Sequence, residues 1–163
     1  NVDVRLLTQI KKLPLKRGKK KELANMIKLI VGKKGSGKTK KLMELVNETA
    51  QTSKGNVVCI EKGDTLTFSI SHKARLIDIE SYGVSGYGEY YGMLCGINAG
   101  NHDVTDIFGD ATLRIGSRDY GELADFLDRV SALAEESNVN FIFTVSCDEA
   151  ELPAHIWEIA EKI

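Results

Sequence analysis

The strongest chemical signal in the chain is the run Gly32-Lys33-Lys34-Gly35-Ser36-Gly37-Lys38-Thr39. It fits G-x-x-x-x-G-K-[ST] at every fixed position. The spacing has a physical purpose. Glycines let the backbone turn without a Cβ, so successive N–H groups can converge on phosphate oxygens. A helix that begins at Lys38 turns its partially positive N-terminus toward the same point. Lys38 then reaches the β- and γ-phosphates of a bound nucleoside triphosphate, and the Thr39 hydroxyl binds Mg²⁺. The expected nucleotide contacts are Gly32, Lys33, Lys34, Gly35, Ser36, Gly37, Lys38, Thr39 and the adjoining Lys40. Lys38 is counted as catalytic as well, because its charge faces the phosphoryl group that is transferred.

Such a loop needs a second acid beside the metal. "VTDIFGD" ends an apolar run with Asp110, which makes Thr39 and Asp110 the expected metal pair. Asp106, inside the same run, is the alternative. Ala111 follows Asp110, so no carboxylate stands directly after this aspartate to orient or activate water, which puts hydrolysis in question.

The elements that must hold these residues are legible from periodicity. Residues 27–31 form a β-branched apolar run that reads as a buried strand ahead of the loop. Residues 38–50 place Leu42, Met43, Val46 and Ala50 on one helical face. Residues 57–60 and 141–145 read as further buried strands, and 104–110 as the strand delivering the acid. Leu66, Phe68 and Ile70 alternate with Thr67, Ser69 and Ser71, and residues 75–79 follow a turn-like segment. Together these predict an added β-hairpin or edge pair. Gly88, Gly92, Gly96 and Gly100 recur every four residues. Over 85–101 they predict a helix with one smooth stripe, packed on the sheet or on a second subunit; a glycine-rich loop stays open. Asp119 and Glu122 form an N-cap and N3 pair before an amphipathic helix. Pro153 opens a short final one.

Charge divides the chain. The sequence carries 22 basic and 23 acidic residues. Residues 1–25 hold eight of the basic ones and two acids, a balance of +6, leaving 14 and 21 in the remainder, a balance of −7. An acidic body argues against a large nucleic-acid surface on it. "KKLPLKRGKKKE" reads as a solvated charge run, and residues 1–25 are expected to be a disordered basic tail or translated leader. The leader reading rests on Met26 being the first methionine. Lys21-Glu22 is encodable as AAG-GAG, a ribosome-binding sequence, three codons upstream. Residues 26–163 then form the single domain. No apolar run approaches a membrane span, no secretory signal is visible, and Cys59, Cys95 and Cys147 lie far apart. A cytoplasmic protein with reduced thiols is the expectation.

The loop resembles that of the P-loop NTPase superfamily, over roughly Met26 to the C-terminus. Within it, "MIKLIVGKKGSGKT", "GNVVCIEKGD" and "NVNFIFTVSCDEAELP" are similar to a small bacterial family of ATP-binding proteins often labelled after the twitching-motility ATPase. No stretch matches the additional N-terminal domain or the histidine- and aspartate-rich boxes of the pilus-retraction motor. The resemblance implies a three-layer α/β fold, a mainly parallel sheet with helices on both faces, RecA-like. RecA-like ATPases place a water-activating glutamate at the end of a neighbouring strand, and Glu61, ending "NVVCIE", fits that role. The same likeness puts Thr144 or Ser146 beside the γ-phosphate. Arg114 or Arg118 is an arginine finger toward a neighbour or, more simply, a surface salt-bridge partner. His72, His102 and His155 are scattered and have no assigned chemistry.

The resulting expectation is a Mg·ATP-binding protein that hydrolyses ATP slowly, with a homo-oligomer or protein partner open. Two alternatives stand beside it: a nucleotide-dependent switch without turnover, and a small-molecule kinase. No [NT]-K-x-D guanine motif or LSGGQ signature occurs. Arg75, Arg114, Arg118 and Arg129 form no cluster of the kind that makes a kinase lid.

Overall fold

A computed structural model describes residues 26–163. The readings of residues 1–25 as tail or leader lie outside the described residues. The chain runs β1 (Ile27–Gly32), α1 (Lys38–Thr52), β2 (Asn56–Glu61), β3 (Ala74–Asp78), α2 (Tyr87–Gly100), β4 (Val104–Gly109), α3 (Thr112–Ile115), α4 (Tyr120–Ser137), β5 (Asn140–Ser146), α5 (Ile156–Ile159) and β6 (Glu161–Lys162). Single 3₁₀ turns at Ile79–Tyr82 and Glu149–Glu151 complete it.

One six-stranded sheet has the order β3-β2-β4-β5-β1-β6, and every pairing is parallel. Parallel strands need cover on both faces, and the β-branched runs supply apolar side chains to both. On one face Ile27, Leu29, Ile60 and Phe143 pack with Tyr90 and Leu94 of α2 and with Leu123, Phe126, Leu127 and Val130 of α4. On the other, Ile30, Val57, Cys59 and Ile142 meet Leu42 and Val46 of α1. Each such aliphatic side chain, fully buried, stabilises the fold by about 1.5–3 kcal/mol.

The expected β-hairpin is not there. Residues 66–70 form a turn, with the Ser69 and Ile70 N–H groups donating to the Leu66 carbonyl at 2.8 and 3.1 Å. β3 pairs parallel to β2 instead. The alternating pattern misleads because only Leu66 is buried, whereas Phe68 is fully exposed. Side chains also take the backbone groups that a ladder would use. The Asn47 amide donates to the Ser69 carbonyl at 2.9 Å and accepts from the Ser71 N–H at 2.7 Å. Such local side-chain bonds compete with sheet pairing.

The glycine-rich stretch is helical, as α2, but its stripe does not pack on the sheet. A Cβ added at Gly88, Gly92, Gly96 or Gly100 would meet nothing within 4 Å. Tyr90 and Leu94 form the face that α2 buries. The Asp119 cap is present, with its carboxylate accepting from the Glu122 N–H at 3.0 Å. The Glu122 side chain does not return the bond; it accepts from the Ser117 hydroxyl at 2.5 Å.

Candidate functional site

The glycine loop crosses from β1 to α1 at the C-terminal end of the strands. Gly35 and Gly37 adopt φ of 83° and 86°, left-handed values that a Cβ makes costly. Gly37 is also the N-cap of α1 and makes no side-chain cap, so the first N–H groups of the helix keep no capping side-chain acceptor. Lys33, Lys34, Ser36 and Lys40 are exposed around it. Lys33 lies 3.8 Å from the Asp148 carboxylate, a solvated pair of little energetic weight.

Lys38 is the buried cation of the site, 8% exposed. Its Nζ folds back over the loop and donates to the Lys33 carbonyl at 2.9 Å, with Ser36 Oγ at 3.5 Å. Burial pushes its pKa below the usual lysine value, and the Asp110 charge works against that shift.

Asp110 follows β4 and is fixed from three sides. Its N–H donates to the Ile60 carbonyl at 2.8 Å. The Thr39 hydroxyl donates to both carboxylate oxygens, at 3.3 and 3.2 Å. Thr144 Oγ1 donates to Oδ1 at 2.6 Å while accepting from the Ala111 N–H at 3.0 Å. This works because β5 lies between β1 and β4, so Thr144 sits between the loop strand and the acid strand. Asp106 is excluded from the cluster. It accepts from Asn140 at the start of β5, 3.2 Å away.

The residue before Asp110 must be small. A Cβ on Gly109 would stand 2.3 Å from Tyr90 Oη and 2.7 Å from Phe143 Cδ1. That close approach accounts for a glycine at this position. Tyr90 is fully buried and its hydroxyl has no hydrogen-bond partner. Ala111 then takes φ 54°, a left-handed conformation that turns the chain out of the sheet into α3. For a non-glycine residue this strain is on the order of 1 kcal/mol.

Glu61 is at the matching end of β2, 2% exposed. Its hydrogen bonds go to its own loop. Oε2 accepts from the Thr65 N–H at 3.2 Å, the Thr65 hydroxyl at 3.1 Å and the Leu66 N–H at 3.0 Å. Among the described residues, none of its bonds reaches Lys38, Thr39 or Asp110.

Neither arginine beside the site forms an ion pair among the described residues. Arg114 Nη2 donates to the Lys62 carbonyl at 3.5 Å, and Lys62 Nζ returns a bond to the Arg114 carbonyl at 3.1 Å. Arg118 Nη1 donates to the carbonyl of Ser146 at 3.4 Å. Ser146 is the register partner of Gly32, so Arg118 lies against the strand next to the loop. His155 instead pairs with Asp128, Nε2 to Oδ1 at 2.8 Å, outside the cluster.

Thr39 and Asp110 offer two hard oxygen donors side by side, which suits Mg²⁺, an ion that keeps several waters and phosphate oxygens. No cluster of three or more His, Cys, Asp or Glu side chains able to hold a metal occurs among the described residues. Sequence reasoning missed the main contacts of Thr144 and Tyr90. Thr144 is the one polar residue inside an otherwise apolar strand run and was a visible signal. Tyr90 had none, because its register against Gly109 depends on how α2 docks. No helix among the described residues is long and apolar enough to cross a membrane. No protein-family model matches the chain, and no curated protein matches it.

Proposed function

We propose that the chain binds Mg·ATP in the Gly32–Thr39 loop and hydrolyses it slowly, as a RecA-like P-loop protein. The observation that carries this is the meeting of Thr39 with Asp110 directly behind a glycine loop whose lysine is buried. The strand order supports the RecA-like form, since β5 and its Thr144 stand between the loop strand and the acid strand.

The work divides among the residues by chemistry. Loop N–H groups and the α1 N-terminus take phosphate oxygens. Lys38 exchanges the Lys33 carbonyl for a phosphate oxygen, a stronger charge-assisted partner. Thr39 and Asp110 hold the metal, which when bound screens phosphate charge. Thr144 keeps the Asp110 carboxylate turned toward Thr39. Water activation falls to Glu61, which must first leave Thr65 and Leu66. That prior release makes turnover slow.

The test is ATP binding by calorimetry together with phosphate release, wild type against Lys38→Ala. Binding without turnover above that control supports the second reading, a nucleotide-dependent switch. The engagement of Glu61 by its own loop and the alanine after Asp110 favour that reading. Absence of binding defeats both.

A further inference from the structure

Parallel strands are stable with cover on both faces, and one corner of this sheet is only partly covered. Over the first halves of β2 and β3 and the start of β4, beside the C-terminal half of α2, lies a groove of about 700 Å³. Val58, Ile77 and Val104 from the strands and Ile97 from α2 give it an apolar lining, of which Ile77 and Ile97 are half-buried. Arg75, in register with Val58 and so on the same face, also lines it. Arg75 is exposed and has no ion-pair partner among the described residues. We infer that this groove takes the Phe68 loop of a second copy of the chain, joining copies head to tail.

The loop is built to present its ring. Phe68 is fully exposed, yet the backbone on either side of it is pinned. The Ser69 and Ile70 N–H groups donate to the Leu66 carbonyl, and Asn47 holds the Ser69 carbonyl and the Ser71 N–H. Leu66 and Ile70 pack toward Leu42 and Val46 of α1, while Phe68 between them points out. Seating the ring in a partner therefore orders little further backbone. Asp64 is exposed beside it, accepts from the Thr67 hydroxyl and has no ion-pair partner among the described residues. The loop thus offers an apolar ring next to an anion, and the groove an apolar floor next to a cation. Such complementarity selects the partner and fixes its register.

A chain cannot fill its own groove, because the sheet lies between the two. The Phe68 loop packs with the α1 side, whereas Val58, Ile77, Ile97 and Val104 belong to the cluster on the α2 side. Each copy then carries one knob and one groove on opposite faces of the same end of the sheet. The contact is heterologous and repeats from copy to copy. Gly96 stands in the groove wall, where an added Cβ would meet nothing within 4 Å, which leaves room for the peptide units flanking the ring.

Sedimentation velocity on the full chain without nucleotide tests this, and its outcome is independent of the phosphate-loop reading. The mean sedimentation coefficient should rise with concentration, with association half-complete below about 1 mM. Phe68→Ser and Arg75→Glu, both at exposed positions, should each weaken association at least about tenfold. An equimolar mixture of these two variants is the decisive sample. Phe68→Ser keeps an intact groove and Arg75→Glu an intact loop, so the mixture should form a dimer and grow no further. Adding Asp64→Lys to the Arg75→Glu chain should restore association. Circular dichroism checks that the variants fold; if Arg75→Glu melts early, Gly96→Glu replaces it as the groove variant. The inference is overturned by a wild-type chain that stays monomeric to about 1 mM, by Phe68→Ser associating as the wild type does, by a mixture that remains monomeric, or by no recovery in the charge-swapped chain.

Discussion

Thr39 and Asp110 are 71 positions apart, yet the Thr39 hydroxyl bonds both oxygens of the Asp110 carboxylate, at 3.3 and 3.2 Å. The first stands at the start of α1 and the second just beyond β4. Strand β5, inserted between β1 and β4, braces the Asp110 carboxylate through the Thr144 hydroxyl. A hydroxyl and a carboxylate brought this close, at the mouth of a glycine loop, form an oxygen pair suited to a small hard cation.

The metal pair is tested by Asp110→Asn. The amide keeps the volume and can still accept from Thr39 and Thr144, so the melting temperature should shift little. Mg²⁺-dependent strengthening of ATP binding should fall by about tenfold or more, as expected for loss of a charged ligand. Calorimetry with and without Mg²⁺ reads this directly. An unchanged Mg²⁺ effect removes Asp110 from the metal site.

Glu61 separates the two readings of turnover. In Glu61→Gln the charge-assisted bonds to Thr65 and Leu66 weaken, which should destabilise the protein by about 1–2 kcal/mol and speed protease cleavage within residues 62–73. Loss of phosphate release with unchanged ATP affinity supports the hydrolase. If phosphate release continues at the wild-type rate, Glu61 is a loop anchor and has no part in catalysis.

Gly109 and Tyr90 are expected to be coupled. Gly109→Ala drives a methyl against Tyr90 Oη and should destabilise by about 1–3 kcal/mol. Tyr90→Phe removes a buried hydroxyl without a partner, so it should be neutral or stabilise by about 1 kcal/mol. The double variant should recover part of the Gly109→Ala loss. Additive melting shifts in the three variants contradict the contact.

The lowered pKa of Lys38 has a definite sign. Between the depressed folded value and the ordinary value of the unfolded chain, the unfolded state binds more protons. Stability contributed through this group therefore rises as pH increases across that window. ATP affinity moves the other way, because the ammonium that meets phosphate is lost. ATP affinity measured from pH 7 upward should decline below the usual lysine range, about 10.4. The decline should vanish in Lys38→Arg, whose guanidinium keeps its charge.

The thiols differ in the same measurable way. Burial, reinforced by Asp110 and Glu61, pushes Cys59 to about 12. Its thiolate fraction at pH 8 is on the order of one in ten thousand. Mass spectrometry after brief iodoacetamide treatment should find Cys95, the only one of the three that is not buried, labelled first and Cys59 unlabelled.

Much of this architecture was legible in the chain because it is local. The loop spacing, the apolar runs of β1, β2, β4 and β5, and the faces of α1 and α4 depend on neighbours a few positions away. The segment around Leu66 and Phe68 was misread for the complementary reason. Its alternation has the right period, but the backbone partners are claimed by Glu61 and Asn47, and no local pattern reveals that competition. The glycine stripe likewise announced a smooth helical face without indicating which side of α2 would be buried.

By itself, then, the sequence determined that a strand, a glycine turn and a helix would follow one another over residues 27–52, because the backbone freedom of glycine and the start of a helix are set within a dozen residues. Only the tertiary structure decided that Asp110 and not Asp106 meets Thr39, that Thr144 holds it there, and that Glu61 faces its own loop. Those choices follow from the insertion of β5 between β1 and β4 and from the docking of Tyr90 against Gly109. Strand order and helix docking are long-range packing outcomes, in which buried apolar contacts across the whole sheet select one arrangement of ends.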